Sequence, residues 1–363
     1  MNKTMIDYMK ETPEVALKCI DNRKELTKKV VDFIVKKKYK KILFVACGSS
    51  YSIASRAMFF IKKYLGVQVQ VMWPYTFLNY FVDSVEDDTL VILLSQSGCS
   101  TNTLKAARAL KAANKDVIAL TNNVDAPIKN EVKLIASYGN TPGDHFVTKG
   151  MAVSTLFLML VALESALALK TIEPTKYDKI VKELQKAVRK IDEARVATEK
   201  FYEEHKIMMW QMERVMVLGA GPSYADAMEG ALKLTETYGC SANAVEVEEY
   251  CHGPQCEVKK DTTVFFIDAA GGKSSERIHQ VYGVTRFLTD RAVVITTDEN
   301  FDAPYVIRMK DDKIEEEIAV LYEVVPFQYL SDIICKDERV TSISREVRKF
   351  DRYIGNKTLN IKF

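Results

Sequence analysis

Short runs of β-branched and aliphatic residues alternate along this chain with longer stretches in which apolar positions recur every three or four residues. Ile42 to Ala46, Val91 to Leu94 and Val117 to Leu120 are runs of the first kind, and Thr103-Leu-Lys-Ala-Ala-Arg-Ala-Leu-Lys-Ala-Ala-Asn114 is of the second. Continuous apolar strands between helices are the mark of βαβ units and a parallel sheet buried on both faces. The pattern then recurs. Lys41-Ile-Leu-Phe-Val-Ala-Cys-Gly-Ser-Ser-Tyr-Ser-Ile-Ala54 aligns with Arg214-Val-Met-Val-Leu-Gly-Ala-Gly-Pro-Ser-Tyr-Ala-Asp-Ala227 at an offset of 173 residues, from Gly48 to Gly221. At the same offset Asp88-Thr-Leu-Val-Ile-Leu-Leu94 falls on Asp261-Thr-Thr-Val-Phe-Phe-Ile267, and Val117 to Leu120 pairs with Val293 to Ile295 after a small shift. A duplicated domain explains this most simply. The fold expected is α/β: two tandem, doubly wound parallel sheets, each a flavodoxin-like three-layer α/β/α unit, with domains at residues 1–195 and 196–363.

Residues 1–40 read as helical, and Thr171 to Lys206 carries helical periodicity at Ile180, Val181, Leu184, Val188 and Ile191, so it is expected to be a connecting helical region. Met151 to Leu169 is the most apolar stretch, but Ser154, Thr155, Glu164 and Ser165 interrupt it, which favours a buried helix over a membrane span. The N-terminus lacks the apolar core of a signal peptide. With 363 residues and 47% hydrophobic composition, both domains can bury a core without staples. Fifty-one Lys and Arg against 49 Asp and Glu give no broad polyanion-binding face, so nucleic acid is not the expected partner. Seven cysteines without a Cys-x-x-Cys pair read as reduced thiols in a cytoplasm.

The candidate chemistry sits where strands end. One run leads into Cys47-Gly48-Ser49-Ser50 and another into Ser95-Gln96-Ser97-Gly98-Cys99-Ser100-Thr101 ahead of a helix. In an open parallel sheet such loops lie at the ligand-binding edge, and the free N–H groups of a helix start favour an anion. Hydroxyls there suit a phosphate, although Ser and Thr at a helix start also serve as ordinary N-caps. Neither loop is a Walker A or a Gly-x-Gly-x-x-Gly turn, and Gly219-Ala-Gly-Pro-Ser223 lacks the third glycine of a dinucleotide turn. Glu229, Lys233 and Glu236 share one helical face, which taken alone reads as a solvated salt-bridge stripe. His252 lies in Glu249-Tyr-Cys-His-Gly-Pro254, where Gly-Pro enforces a turn. A carboxylate to shuttle a carbon-bound proton and an imidazole to act on a sugar oxygen are what an aldose–ketose rearrangement needs. Cys240, Cys251, His252 and Cys256 match no common zinc spacing, and no metal or redox cofactor is implied.

Together these residues resemble the sugar isomerase (SIS) superfamily, above all the isomerase half of glucosamine-6-phosphate synthase and its fructosamine deglycase relatives. The resemblance covers both domains. It implies that Ser50, Ser95, Gln96, Ser97 and Ser100 hold a substrate phosphate. It gives Glu236 the proton transfer between C1 and C2, His252 the ring opening, and Lys233 a place beside the sugar. Gly48, Ser49, Thr148, Glu229 and Lys357 would line the sugar site. It also implies a homodimer with composite sites, because the family's histidine arrives from the neighbouring subunit. Several positions depart from the synthase. Its glutaminase domain is not found in this sequence, Cys99 replaces an acidic residue, and Val147-Thr-Lys149 matches only part of a Ser-Thr-Lys stretch. Neither Lys357 nor Lys362 aligns cleanly with its C-terminal lysine. These departures favour an enzyme that removes an amine from a 6-phosphorylated fructosamine. The alternatives are an amino-sugar-phosphate isomerase or deaminase and a phosphosugar sensor without turnover.

Overall fold

A computed structural model describes residues 3–140, 143–268 and 272–336, together with 354, 355 and 357. Helices α1 (Met5–Asp21) and α2 (Arg23–Lys36) precede a first set of elements. These are β1 (Lys41–Val45), α3 (Ser49–Leu65), β2 (Gln68–Met72), α4 (Pro74–Tyr80), β3 (Thr89–Leu94), α5 (Thr101–Ala112), β4 (Val117–Leu120) and β5 (Leu134–Ala136). Helix α6 (Thr148–Ala168) and α7 (Pro174–Trp210) follow. The second set is β6 (Arg214–Gly219), α8 (Pro222–Thr237), β7 (Ser241–Glu246), α9 (Val247–Tyr250), β8 (Thr263–Asp268), α10 (Ser275–Thr285), β9 (Ala292–Thr296) and β10 (Val306–Arg308). Helices α11 (Glu316–Glu323) and α12 (Val325–Cys335) come last among the described residues.

Both sheets are parallel throughout, in the orders β2-β1-β3-β4-β5 and β10-β9-β8-β6-β7. Read from the first strand of each copy, the two orders are the same. The registers repeat as well. Lys41 pairs with Gln68 and Arg214 with Ser241, while Ile42 pairs with Leu90 and Val215 with Thr263, so the 173-residue offset carries these pairs of the first sheet onto pairs of the second. The central strands β3 and β8 are buried along their whole length, which is why they read as unbroken apolar runs. Strands β2 and β7 sit at corresponding sheet edges, and their exposed polar residues, such as Gln68 and Ser241, match that position. Leu43, Val91, Leu93, Leu104 and Val117 pack one core, and Met216, Val264, Phe266, Ile278 and Val294 pack the other. Each such side chain contributes roughly 1.5–3 kcal/mol on burial.

Two compact units result, and they do not divide at residue 195. One takes Met1–Leu17, Gly143–Ala152 and Val181–Ile343, and the other takes Lys18–Pro142, Val153–Ile180 and Ser344–Phe363. Capping is one physical reason for this exchange of segments. The buried carboxylate of Asp332, on α12, accepts the N–H groups of Met5 and Ile6 at 3.3 Å, which ties the start of α1 to the second sheet's unit. In the first sheet's unit Arg23 on α2 donates to Tyr177 at 2.7 Å and pairs with Glu164 on α6 at 3.2 Å. Helix α6 and the run from α11 into α12 are long and apolar enough to cross a membrane, yet 89% of each apolar window is buried within the fold. They are core helices. The connecting helix α7 breaks at His205 (φ −128°, ψ 19°).

Candidate active site

Gly48 follows β1 with φ 58° and ψ −142°, a conformation that L side chains rarely adopt, and it turns the chain directly into α3. Its carbonyl accepts from the N–H groups of Tyr51 and Ser52, leaving Ser49 and Ser50 half-buried in the first turn. Gly221 does the same before α8, with φ 54° and ψ −127°. Beyond β3 the chain makes a tight turn in which the Gly98 N–H donates to the Ser95 carbonyl at 3.0 Å. A Cβ at Gly98 would meet that of Ala126 at 2.4 Å, so only glycine fits. Ser95 is buried, Gln96 half-buried and Ser97 exposed, and the Ser97 hydroxyl accepts from the Cys99 N–H.

Ser100 takes the N-cap position of α5 in an extended conformation, but its hydroxyl makes no capping hydrogen bond. It stands instead beside the Cys47 thiol, linking the two loops. Partial desolvation pushes that thiol's pKa up and the Ser100 hydrogen bond only partly opposes it. The tail returns to the same place. Lys357 forms an antiparallel bridge with Ser100, and the Thr101 hydroxyl donates to the Gly355 carbonyl at 2.8 Å. Lys362 lies outside the described residues. Thus Gly48, Ser49, Ser50, Ser95, Gln96, Ser97, Ser100 and Lys357 belong to one loop cluster, onto which α3 and α5 open their N-termini. Such an edge attracts an anion.

The second sheet's unit holds the candidate acid–base groups. The solvated stripe expected on α8 is not there, because the helix is covered on more than one side by its own sheet and by α11 and α12. Glu229 and Lys233 are at most 1% exposed, while the Glu236 side chain remains 39% exposed. Lys233 Nζ lies 3.2 Å from Glu229 and 2.6 Å from Glu236. Burial pulls the Lys233 pKa down, and the two carboxylates more than reverse it, so the ammonium persists. A buried ion cluster carries a desolvation cost that an apolar helix would avoid. Glu236 is the one carboxylate of the cluster that remains accessible.

Facing Lys233 is a loop in which neither Asp144 nor His145 stood out in the sequence. Phe146 and Val147 have φ of 50° and 55°, and two successive left-handed residues, one of them β-branched, store roughly 1–3 kcal/mol each. The Asp144 carboxylate holds the loop by accepting from the N–H groups of His145, Lys149 and Gly150 at 2.8–3.0 Å. Burial raises its pKa, and those N–H groups oppose the shift. Thr148 is buried, and its hydroxyl donates to the His145 carbonyl at 2.6 Å, so it braces the loop. Lys149, also buried, reaches Glu11 at 3.3 Å. The Phe146 ring lies 5.9 Å from Lys233 Nζ. The sequence signal available was a polar Gly143-Asp144-His145 run just ahead of the apolar helix, which is where an N-cap belongs.

His252 stands apart, in the turn after α9, with its side chain 67% exposed. Its ring nitrogen Nε2 lies 3.9 Å from Glu248, not beside Glu236, and Glu248 is itself held by Arg277 at 2.7 and 3.0 Å. Among the described residues no group of three or more His, Cys, Asp or Glu side chains is arranged to hold a metal. None of the seven cysteines is in a disulfide. A cavity of about 500 Å³ lined by Arg214, Asn243 and Lys259 lies at the amino ends of the second sheet's strands, the edge opposite the loops, where parallel sheets do not place their ligands.

The SIS domain model matches residues 34–169 and 208–304, one segment for each sheet. The chain belongs to the SIS domain family. Its two SIS segments contain both hydroxyl loops, the α8 triad and His252, whereas Lys357 lies beyond them. Glutamine–fructose-6-phosphate aminotransferase [isomerizing] of Caldanaerobacter subterraneus subsp. tengcongensis is 30% identical over 231 residues, 62% of this chain and 37% of the relative. The Thermococcus kodakarensis protein of the same name is 26% identical over 332 residues, 90% of this chain and 54% of that one. The chain therefore spans about half the length, or less, of these curated relatives. A candidate phosphosugar isomerase of Clostridium difficile 630 superposes with a TM-score of 0.86 at 23% identity, covering 99% of this chain and all of that one. The C-terminal domain of glucosamine-fructose-6-phosphate aminotransferase from Francisella tularensis gives 0.82 at 22% identity, over 93% and 96% of the two chains. These likenesses establish the double-SIS fold.

Proposed function

We propose that this SIS protein is a deglycase that cleaves the amine from a 6-phosphorylated fructosamine and releases a hexose 6-phosphate. The single observation that carries the reading is the α8 triad, in which buried Lys233 and Glu229 hold a half-exposed Glu236 in place. Glu236 would take the C1 proton of the open-chain ketoamine and return a proton to C2, turning an enaminol into a C1 imine. Lys233 would steady the charge that forms on the neighbouring oxygen. Water would then hydrolyse the imine. The hydroxyls of Ser50, Ser95, Ser97 and Ser100, with Gln96 and the N–H groups of α3 and α5, would anchor the phosphate, while Gly48, Ser49, Thr148, Glu229 and Lys357 would shape the sugar site.

His252 would assist ring opening. Its exposed turn suits delivery to the site of a second copy, so the working enzyme would be a homodimer with composite sites. Seven cysteines without a disulfide among them suit a cytoplasmic protein. The departures from the synthase pattern, Cys99 above all, are what favour amine removal over plain isomerisation.

Purified protein incubated with a lysine-derived fructosamine 6-phosphate should yield glucose 6-phosphate in an NADP-coupled assay. Both Glu236→Gln and His252→Ala should abolish that product. Turnover of glucosamine 6-phosphate instead would make the protein an isomerase or deaminase. A rise in melting temperature with every phosphosugar and turnover of none would make it a sensor.

A further inference from the structure

His145 has no role in the chemistry described so far. It is exposed, it directly follows the half-buried Asp144 that clamps its loop, and it precedes the two left-handed residues Phe146 and Val147. Its backbone is held at both ends: the N–H donates to Asp144, and the carbonyl accepts from the Thr148 N–H and hydroxyl at 3.1 and 2.6 Å. A further restraint reaches the loop through Gln328, which donates to the Thr148 carbonyl at 3.2 Å. Strain of this kind persists only where the surroundings over-determine it, and it gathers where a side chain must be presented in one orientation. What this loop presents is an imidazole. The His145 ring packs against the Phe146 ring at 4.4 Å, and the Lys233 ammonium lies 5.9 Å from that same ring. The shared ring keeps His145 within the span of a phosphorylated fructosamine from Lys233 and its partner Glu236.

We infer that His145 is the proton carrier for hydrolysis of the C1 imine, which deepens the deglycase reading and rests on it. Glu236 is occupied with carbon-bound protons, and hydrolysis needs a group for water and nitrogen. Water oxygen bonds to C1 as the C=N π pair moves to nitrogen, and His145 takes one water proton and passes it to that nitrogen. His145 then takes the hydroxyl proton of the carbinolamine and passes it to nitrogen as well. The C1–N bond breaks with its electron pair on nitrogen, leaving an aldehyde and a free amine. Imine and one water become aldehyde and amine, with no redox partner.

Two readouts on the lysine-derived fructosamine 6-phosphate test this. Exchange of the C1 hydrogen with deuterium from solvent reports the Glu236 step, and amine release reports hydrolysis. His145→Ala should keep exchange within about twofold of wild type while amine release falls 100-fold or more, in line with the usual weight of a positioned proton carrier. Added imidazole should restore release, a recovery that a merely structural role would not show. A His145→Gln variant, which retains a polar side chain of similar reach, should be as slow as His145→Ala, and a melting curve checks that both are folded. Amine release at the wild-type rate in His145→Ala overturns the inference, as does parallel loss of exchange and release. If wild-type protein releases no amine, the deglycase reading fails and this inference fails with it.

Discussion

Ser95 directly follows β3 in the first sheet, and Asp268, 173 residues on, ends β8 in the second. Around Asp268 the place is full: its buried carboxylate accepts from His279 at 2.9 Å and Thr296 at 3.0 Å, and Ser275 at the start of α10 donates to it as well. Ser223, the counterpart of Ser50, gives its hydroxyl to the buried Glu323 carboxylate at 2.8 Å. A phosphate brought to the second copy would meet a carboxylate at both positions, whereas in the first it would meet hydroxyls and helix N-termini. The helices invert in the same sense. Phe60 on α3 packs its ring against that of Tyr64 with centroids 4.5 Å apart, and its counterpart on α8 is Lys233. Lys63 has Glu236 as its counterpart. Duplication supplied two like backbones, down to the positive φ of Gly48 and Gly221, and in the proposed reading a few side chains give anchorage to one and acid–base chemistry to the other.

The comparison can be broken in several places. The largest effect belongs to Glu236→Gln, which should lower turnover by about 10²–10⁴-fold with little change in the affinity for a hexose 6-phosphate. A steady-state assay beside a binding titration measures both. Next is Lys233→Met, which leaves buried Glu229 without its cation and should cost about 3–5 kcal/mol in urea unfolding. The matching change Phe60→Leu keeps an apolar group in an apolar place and should cost under about 1.5 kcal/mol. Equal losses would mean that the two helices are not differently employed. Gly48→Ala and Gly221→Ala should each cost about 1–2 kcal/mol, and by similar amounts, because neither would meet an atom within 4 Å and only backbone strain is at work.

The smallest effect is with pH. Burial would raise the Asp116 carboxyl, but Lys133, Lys37 and Tyr39 outweigh it and bring the pKa down to about 2. The folded value lies below the unfolded one, so this contribution is present above about pH 4 and is lost as pH falls towards 2, on the order of 1–2 kcal/mol. Lys233 is shifted the other way, above its usual value, so its contribution holds through neutral pH and is lost only as pH rises beyond about 10. Urea midpoints followed with pH should therefore fall at the acid end through the first unit and at the alkaline end through the second.

Much of this was legible in the sequence, and what was not has physical causes. The duplicated strands could be read because parallel strands buried on both faces are apolar throughout, and the loops because Gly and Ser mark the turn from strand to helix. The burial of Glu229 and Lys233 could not, since helical periodicity shows which residues share a face but not that α11 and α12 cover it. The strain at Phe146 and Val147 was hidden too, because no glycine signals it and the Asp144 and Gln328 contacts that maintain it arise only in the folded chain. The exchange of segments between units depends on contacts such as Met5 with Asp332, 327 residues apart, beyond any local pattern.

The most direct test of the division of labour is calorimetric titration of an unreactive hexitol 6-phosphate into wild type, Ser95→Asp and Glu236→Gln. Ser95→Asp gives the first copy the second copy's carboxylate, and like charges in such a place cost several kcal/mol. Binding should weaken at least 100-fold in Ser95→Asp and stay within about threefold of wild type in Glu236→Gln. Wild-type affinity in Ser95→Asp would place the phosphate elsewhere and contradict the account.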